Sequence, residues 1–178
     1  TWADIGAAAE SEDELTEEHL FQAQMPTFPF GAHVAVVEVD TETGKVTHLR
    51  HVACDDAGTI LNPMLVNGQV HGGIAQGAAQ ALWEEVRYDS DGNPITSNFA
   101  DYGMITADLL PSIERIPMET PTFVNPLGAK GIGESATIGS TPAIHSAVMD
   151  ALAPYGVAHI DMPCTPEKVW AAIHAARN

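Results

Sequence analysis

The segment GQVHGGIAQGAAQALWEE (68–85) constrains the fold more than any other part of the sequence. It has the length and alanine content of a helix, and Pro63 upstream suits a first helical turn. It also contains glycine at positions 68, 72, 73 and 77, and each glycine costs a helix about 1 kcal/mol relative to alanine. We therefore predict a helix from residue 62 to about residue 85 whose backbone packs closely against another element.

Two strands are predicted before this helix. The valine-rich run AHVAVVEVD (32–40) and the run KVTHLRHVACDDAG (45–58) flank a TETG turn, so residues 32–56 form a predicted hairpin. After the helix, the pattern predicts a strand, a turn and a strand over 86–97. A short helix before Pro111 and a strand near 113–120 follow.

Two more helices are predicted in the last third of the chain. Apolar residues of 135–152 have helical spacing after an interruption around Pro142. A terminal helix follows Thr165 as the N-cap, with Pro166 at its first position. Hairpin strands and helices with small-residue faces predict the α+β class, as a two-layer domain with a mixed, hairpin-containing sheet packed against helices.

The net charge of the chain limits the classes of molecule that it can bind. It carries 24 acidic against 7 basic residues, and a net charge of −17 repels nucleic acid and anionic membranes. No apolar run reaches the ~20 residues of a membrane span, so we expect a soluble, cytoplasmic protein. Residues 10–18 hold six carboxylates, and residues 1–30 are predicted to be an acidic segment, partly helical or mobile, before a domain at 31–178.

The glycine-rich run NPLGAKGIGESATIG (125–139) matches neither the GxxxxGK[ST] nor the GxGxxG motif. Its glycines allow a ligand to approach the backbone, and a helix begins behind them. Two alternatives are that Glu134 only stabilises that helix start, or that the helix start binds an anion such as a nucleotide phosphate. A carboxylate repels a bound anion, which favours a third alternative, that Glu134 accepts a proton.

Polar residues elsewhere are weaker candidates. Gln69 and Gln76 lie near one helical face, where an amide can bind a heterocycle, although most glutamines are simply exposed. The histidines form no HxxxH or HExxH spacing, and strand alternation places His48 and His51 on opposite faces. No protein-ligated metal site is predicted. Among the histidines, His71 is singled out because it lies two residues after Gln69.

Three motifs, DDAGTILNP, GQVHGGIAQGAAQALWEE and GAKGIGES, occur in an order and at a separation that resemble the molybdenum hydroxylases. The similar part is the large, molybdenum-cofactor-binding subunit of this family, which includes xanthine oxidase, aldehyde oxidoreductases and the aerobic carbon monoxide dehydrogenases. The resemblance covers roughly residues 31–174, as the C-terminal portion of a larger subunit. The segment GQVHGG, with His71, resembles the carbon monoxide dehydrogenase-like members more than the purine oxidases.

The resemblance implies a cofactor, a reaction and a set of site residues. The cofactor is a molybdenum–pterin, with molybdopterin cytosine dinucleotide as the expected form. Gln69 hydrogen-bonds the pterin, Glu134 is the general base, and the backbone of Gly131, Ile132 and Gly133 lies against the molybdenum. The reaction is oxidation of an electron-poor carbon, in an aldehyde, an N-heterocycle or carbon monoxide, with oxygen derived from water. Lys130 receives no chemical role.

The resemblance also implies partners. Cys54 and Cys164 are too few to hold the family's iron–sulfur clusters, and no flavin motif is visible. Iron–sulfur clusters and FAD are therefore expected on partner chains or domains, together with the remainder of the large subunit, and this chain alone is not expected to be a competent oxidoreductase. The alternative is a non-catalytic binding or assembly module with the same fold that never holds molybdenum.

Overall fold

The computed structural model describes residues 1–176, which form four α-helices and a three-stranded sheet. In chain order the elements are α1 (Trp2–Ala8), β1 (Phe30–Val39), β2 (Val46–Asp56), α2 (Pro63–Leu82), β3 (Ile113–Met118), α3 (Ser135–Leu152) and α4 (Pro166–Ala176). Short 3-10 helices occupy Glu12–Leu15, Ala107–Leu109 and Ala153–Tyr155. The predicted hairpin, the long glycine-containing helix and the terminal helix are confirmed.

The sheet is mixed. β1 and β2 pair antiparallel, β3 pairs parallel to β2, and the strand order is β1-β2-β3. A parallel pair needs a long crossover connection, and α2 lies within the connection from β2 to β3. α3 packs on the sheet and α2 packs against α3. This is the predicted α+β fold, with a hairpin-containing sheet covered by helices.

The main core lies where α3 meets the second half of α2, α4 and the loop before α4. Apolar side chains repeat at helical spacing along these elements, so each helix turns one apolar face inward. The fully buried members include Leu82, Ile144, Val148, Leu152, Val169 and Ile173. A second, smaller cluster at the other end joins Ala53 of β2, Ala136 of α3 and Val66, Val70 and Ile74 of α2.

The acidic N-terminal segment contributes nothing to either core. α1 and the 3-10 helix at Glu12–Leu15 contain no buried residue. Thr1 caps α1 through a hydrogen bond from the amide of Asp4 to its hydroxyl, at 3.3 Å. Within the described part of the chain, no helix is long and apolar enough to cross a membrane. The division between residues 1–30 and 31–178 stays a prediction.

A bulge in β2 overturns the predicted orientation of His48 and His51. The two neighbours of Leu49 on β2 pair with the successive residues Val36 and Val37 of β1, so Leu49 is an extra residue in the ladder. One extra residue shifts the alternation by one position, and both histidines therefore fall on the same, buried face. The prediction of opposite faces was wrong because it assumed strict alternation along the strand.

The strands predicted over 86–97 are also absent. The structure has a turn in which the Asp89 carboxylate accepts hydrogen bonds from the amides of Asp91 and Asn93, at 2.9 and 2.8 Å. A single bridge joins Tyr88 to Pro94 beyond it. Almost all of this segment is exposed, so it has no apolar face that would hold longer strands against the core.

α3 runs unbroken through Pro142, where the sequence predicted an interruption. Proline is compatible with helical φ and removes one backbone hydrogen bond. Buried residues precede and follow it on α3, at Ala136, Thr141, Ile144 and Val148. Packing on both sides of Pro142 therefore outweighs the lost hydrogen bond.

Candidate functional site

α2 and α3 are in backbone contact because two glycines of α2 leave no side chain between them. A Cβ atom added at Gly73 would lie 2.8 Å from the Cβ of Ala136 and 2.9 Å from the amide nitrogen of Thr137. A Cβ added at Gly77 would overlap the hydroxyl of Ser140. The close packing predicted for this helix is confirmed at these two positions. It places the N-terminal end of α3 beside the middle of α2.

This contact brings together the two segments that the sequence singled out. The Oε1 atom of Gln69 on α2 lies 3.9 Å from the position of a Cβ on Gly133, the residue before Glu134. All three residues are exposed. Within residues 1–176, neither the Gln69 amide nor the Glu134 carboxylate has a side-chain partner. An amide and a carboxylate without side-chain partners therefore lie on neighbouring elements.

Glu134 occupies the N-cap position of α3 without acting as a capping side chain. Its backbone has φ −120° and ψ 1°, and its carbonyl accepts the amide of Ile138 at 3.1 Å. Its carboxylate forms no capping hydrogen bond. The alternative in which Glu134 only stabilises the helix start would therefore act through the charge of the carboxylate and not through a capping hydrogen bond. The position still offers the partial positive charge of a helix N-terminus, which favours an anion.

The residues immediately before Glu134 present bare backbone. Ile132 is half-buried and packs against the smaller core cluster, which holds the loop down. Gly131 and Gly133, on either side of it, are exposed. A Cβ at Gly131 would meet no atom within 4 Å. The anchored isoleucine and the two open glycines make a surface that another molecule can approach closely.

Lys130 anchors the same loop from inside. Its Nζ lies 2.9 Å from Oδ1 of Asp56, and the two side chains are only 9% and 0% exposed. Its backbone amide donates to the carbonyl of Ala57 at 2.9 Å, and its Nζ lies 4.6 Å from the centre of the Phe30 ring. These contacts give Lys130 a structural role, which the sequence did not assign.

The two glutamines of α2 have different surroundings although they are seven residues apart. Oε1 of Gln76 accepts a hydrogen bond from the hydroxyl of Thr137 at 3.1 Å, which ties α2 to α3. Gln69 lies closer to the N-terminus of α2 than this hydrogen bond, and its amide has no partner within the described residues. His71 is exposed on α2. Of these side chains, Gln69 alone combines a free amide with a position beside Gly133.

The surface around Gln69 and Glu134 is open. Cβ atoms added at Gly68, Gly72 or Gly131 would all lie in open space, so bare backbone surrounds the two polar groups. An amide with two donors and an acceptor matches the hydrogen-bonding edge of a heterocycle. Small residues around it allow a bulky ring system to come close.

A buried chain of polar side chains lies under α3, and the sequence did not predict it. Nδ1 of His51 is 3.2 Å from Nε2 of His48, and Nε2 of His51 is 3.0 Å from Nδ1 of His33. Nε2 of His33 is in turn 3.0 Å from Oδ2 of Asp55, whose Oδ1 accepts the hydroxyl of Ser135 at 2.6 Å. We call these five residues the histidine–aspartate chain. Its only signal in the sequence was the density of histidine and aspartate in β2.

The charges of this chain follow from burial and hydrogen bonding. Burial lowers the pKa of His51 to about 4, with further lowering from neighbouring His48 and His33. Burial also lowers the pKa of His48. Burial alone would raise the pKa of Asp55, but hydrogen bonds from His33 and Ser135 outweigh it, and the pKa lies below its usual value. At neutral pH, therefore, His51 is uncharged and Asp55 is ionised.

The three imidazole rings of the histidine–aspartate chain are hydrogen-bonded to one another in a line. Within the described residues, no group of three or more histidine, cysteine, aspartate or glutamate side chains is arranged to hold a metal ion.

Comparisons with known proteins agree on one family. A family model described as a molybdopterin cofactor-binding domain matches residues 1–111. The carbon monoxide dehydrogenase large chain of Hydrogenophaga pseudoflava is 40% identical over 162 residues, which cover 91% of this chain and 20% of that protein. The nicotine 6-hydroxylase large subunit of Paenarthrobacter nicotinovorans is 42% identical over 144 residues, covering 81% and 18%. The solved structure of CO dehydrogenase from Oligotropha carboxidovorans matches with a TM-score of 0.82 at 39% identity, over 85% of this chain and 19% of that one.

This chain spans about a fifth of the length of the curated relatives that it matches. Because the alignment with the Hydrogenophaga protein takes up 91% of the chain, it includes both Gln69 and Glu134, which lie far from the two ends. The family model alone covers more than half of the chain. The chain therefore belongs to the molybdopterin cofactor-binding domain family, and the resemblance to the large subunits of molybdenum hydroxylases that its motifs predicted is confirmed.

Proposed function

We propose that this chain is part of a molybdenum hydroxylase, an oxidoreductase that oxidises an electron-poor carbon with oxygen derived from water. The observation that carries the proposal is the position of the Gln69 amide beside Gly133, next to the free carboxylate of Glu134. Relatives named carbon monoxide dehydrogenase and nicotine 6-hydroxylase support an oxidoreductase. The substrate is an aldehyde, an N-heterocycle or carbon monoxide.

The proposed cofactor is a molybdenum–pterin in the cytosine dinucleotide form. When bound, it supplies the two-electron oxidation of the substrate. Gln69 contributes hydrogen bonds to the pterin, and the backbone of Gly131, Ile132 and Gly133 forms the adjoining wall. The open space around the glycines supports this assignment, because it admits a ring system without displacing a side chain.

Glu134 acts as the general base, accepting the proton released when the water-derived oxygen is transferred to the substrate carbon. Two features support this role. Its carboxylate is exposed and free of partners within the described chain, so it is not committed to a structural bond. Its backbone is held by α3 on one side and by a loop anchored through Ile132 and Lys130 on the other. A base held in this way keeps one position relative to its substrate.

The proposal includes partners and a location. The remainder of the large subunit supplies further cofactor contacts, while iron–sulfur clusters and FAD on partner chains or domains carry the electrons away. Cys54 and Cys164 are free thiols, which agrees with a reducing cytoplasm. The proposed division keeps an acidic segment at 1–30 before a cofactor-binding domain at 31–178, while the match to the family model also includes residues 1–30.

The test is Glu134→Gln in the native assembly, purified from its host. Loss of a general base is expected to lower turnover by about 10²–10⁴-fold. Molybdenum content should stay unchanged, because glutamine keeps the size of the side chain. Glu167→Gln, in the first turn of α4, is the matched control and should keep full activity.

Two results would contradict the proposal in different ways. Turnover near that of the unmodified enzyme in Glu134→Gln would remove the general base. A native assembly without molybdenum would favour the alternative, a binding or assembly module of the same fold.

A further inference from the structure

The histidine–aspartate chain ends one residue from the proposed general base. Its last member, Ser135, is the first residue of α3 and directly follows Glu134. The Ser135 hydroxyl donates to Oδ1 of Asp55 at 2.6 Å, a short bond of the charge-assisted type. Asp55 belongs to β2 and is 1% exposed. This bond therefore ties the start of α3 to a buried strand of the sheet.

The protons of the chain can be placed from the charge on Asp55. An ionised carboxylate only accepts, so Nε2 of His33 must donate to Asp55. Because His51 is uncharged, its Nε2 can donate to Nδ1 of His33 when its Nδ1 accepts from His48. Nε2 of His48 is then the donor to His51. In this arrangement the three imidazole rings point N–H groups toward Asp55, and the aligned hydrogen bonds hold the orientation of its carboxylate.

The tie does not use the Glu134 side chain. Glu134 provides the backbone of the N-cap, while Ser135 provides the side-chain attachment to the sheet. The carboxylate of Glu134 is therefore held through the neighbouring residue and stays free to meet a ligand. A helix start fixed only by its backbone would lack this second point of attachment.

We propose that Asp55 and Ser135 are positioning residues for Glu134, and that the three histidines of the chain hold Asp55 in the orientation this requires. The inference rests on the proposed function of Glu134 as the base. Neither residue contacts the reacting atoms; they act by fixing the place of the N-terminal turn of α3. A displacement of a catalytic group by about 1 Å can cost 10²-fold in rate, so such a tie has a measurable kinetic effect.

The main test compares Ser135→Ala with Ser135→Thr in the native, metal-loaded assembly. Ser135→Ala should lower kcat per bound molybdenum by about 10- to 100-fold while KM stays nearly constant. Ser135→Thr keeps the hydroxyl and should restore most of kcat. Ser135 lines a pocket of about 110 Å³, so its side chain borders open space. Molybdenum content should be equal in all samples.

Ser140→Ala is the matched control. Ser140 lies on the same helix, is buried and donates to the carbonyl of Gly73, without contact to Asp55. Its removal should change the melting temperature but leave kcat unaltered. Asp55→Asn should lower kcat about as much as Ser135→Ala does. The double variant should lose little more kcat than either single variant, because both substitutions remove the same hydrogen bond.

A second readout does not depend on turnover. Hydrogen exchange of the amides in 134–138 should be faster in Ser135→Ala and return toward normal in Ser135→Thr, because only threonine keeps the tie to β2. Unchanged exchange, or unchanged kcat per molybdenum, in Ser135→Ala overturns the inference. If Glu134→Gln loses turnover while Ser135→Ala keeps it, only this inference fails. If Glu134→Gln keeps its turnover, the proposed function fails and the inference fails with it.

Discussion

Lys130 and Asp56 form a buried ion pair, with Nζ 2.9 Å from Oδ1, that joins the glycine-rich loop to the end of β2. The same oxygen of Asp56 accepts the amide of Gly58 at 2.8 Å. One carboxylate thus holds the end of its own strand and the loop that leads to Glu134. Burial alone would raise the pKa of Asp56, but hydrogen bonds from Thr120 and Lys130 outweigh it and keep the group ionised.

Lys130→Met is expected to destabilise the protein by about 3–5 kcal/mol, because it leaves a buried carboxylate without its counter-ion. Molybdenum content should also fall, since the loop carries the proposed cofactor wall. Denaturant unfolding and metal analysis measure the two effects. Lys168→Met is the matched control: its pair with Glu85 is 34% exposed on each side and should contribute about 1 kcal/mol or less. Equal losses in the two variants would contradict a structural role for the buried pair.

Stability is expected to fall as the pH is lowered from about 6.5 to about 4. The pKa of His51 is about 4 in the folded protein and 6.5 for an ordinary histidine. Between these values the unfolded chain binds a proton that the folded chain does not, so acid favours unfolding. The expected loss is on the order of 3 kcal/mol. Urea unfolding measured between pH 7.5 and 4.5 checks it.

His51→Gln should be less stable at neutral pH but should show a smaller loss between pH 6.5 and 4. His159→Gln, at a largely exposed histidine, should keep the full pH dependence of the unmodified protein. A pH dependence that survives unchanged in His51→Gln would mean that other groups cause it.

Local patterns in the sequence were sufficient to predict most of the elements and to propose candidate site residues. The valine-rich run 32–40 followed by TETG predicted the hairpin, because strand propensity and turn chemistry are local properties. Glycine spacing in 68–77 predicted a close contact of α2 without identifying its partner. The ordered motifs singled out Gln69 and Glu134 as candidates, and the structure adds that the segments of these two residues meet at Gly133.

The histidine–aspartate chain could not be predicted because it depends on the bulge at Leu49. Strict alternation along the strand places His48 and His51 on opposite faces. One extra residue shifts the alternation and places them on the same face. The partners of His51 are also distant in sequence, with His33 on another strand. Contacts of this kind depend on strand register, which the alternation of apolar residues does not determine at a bulge.

The glycines of α2 divide into two groups that substitution should separate. Gly77→Ala places a methyl group against the Ser140 hydroxyl and 2.9 Å from the amide nitrogen of Thr141, so it should cost about 1–3 kcal/mol. Gly72→Ala meets no atom within 4 Å and should stabilise the helix by up to ~1 kcal/mol. Thermal unfolding of the two variants checks the difference. Stability changes of the same sign would contradict the packing described for α2 and α3.

Gln69 and Gln76 should show opposite effects when each is replaced by alanine. Gln69→Ala removes an exposed amide without a partner in the described chain, so stability should change by less than about 0.5 kcal/mol while molybdenum content falls. Gln76→Ala removes the hydrogen bond to Thr137 and should cost about 0.5–1.5 kcal/mol with normal molybdenum content. Metal analysis and thermal unfolding of both variants provide the comparison. If Gln69→Ala keeps its molybdenum, the amide does not hold the cofactor, and its position beside Gly133 has no role in binding.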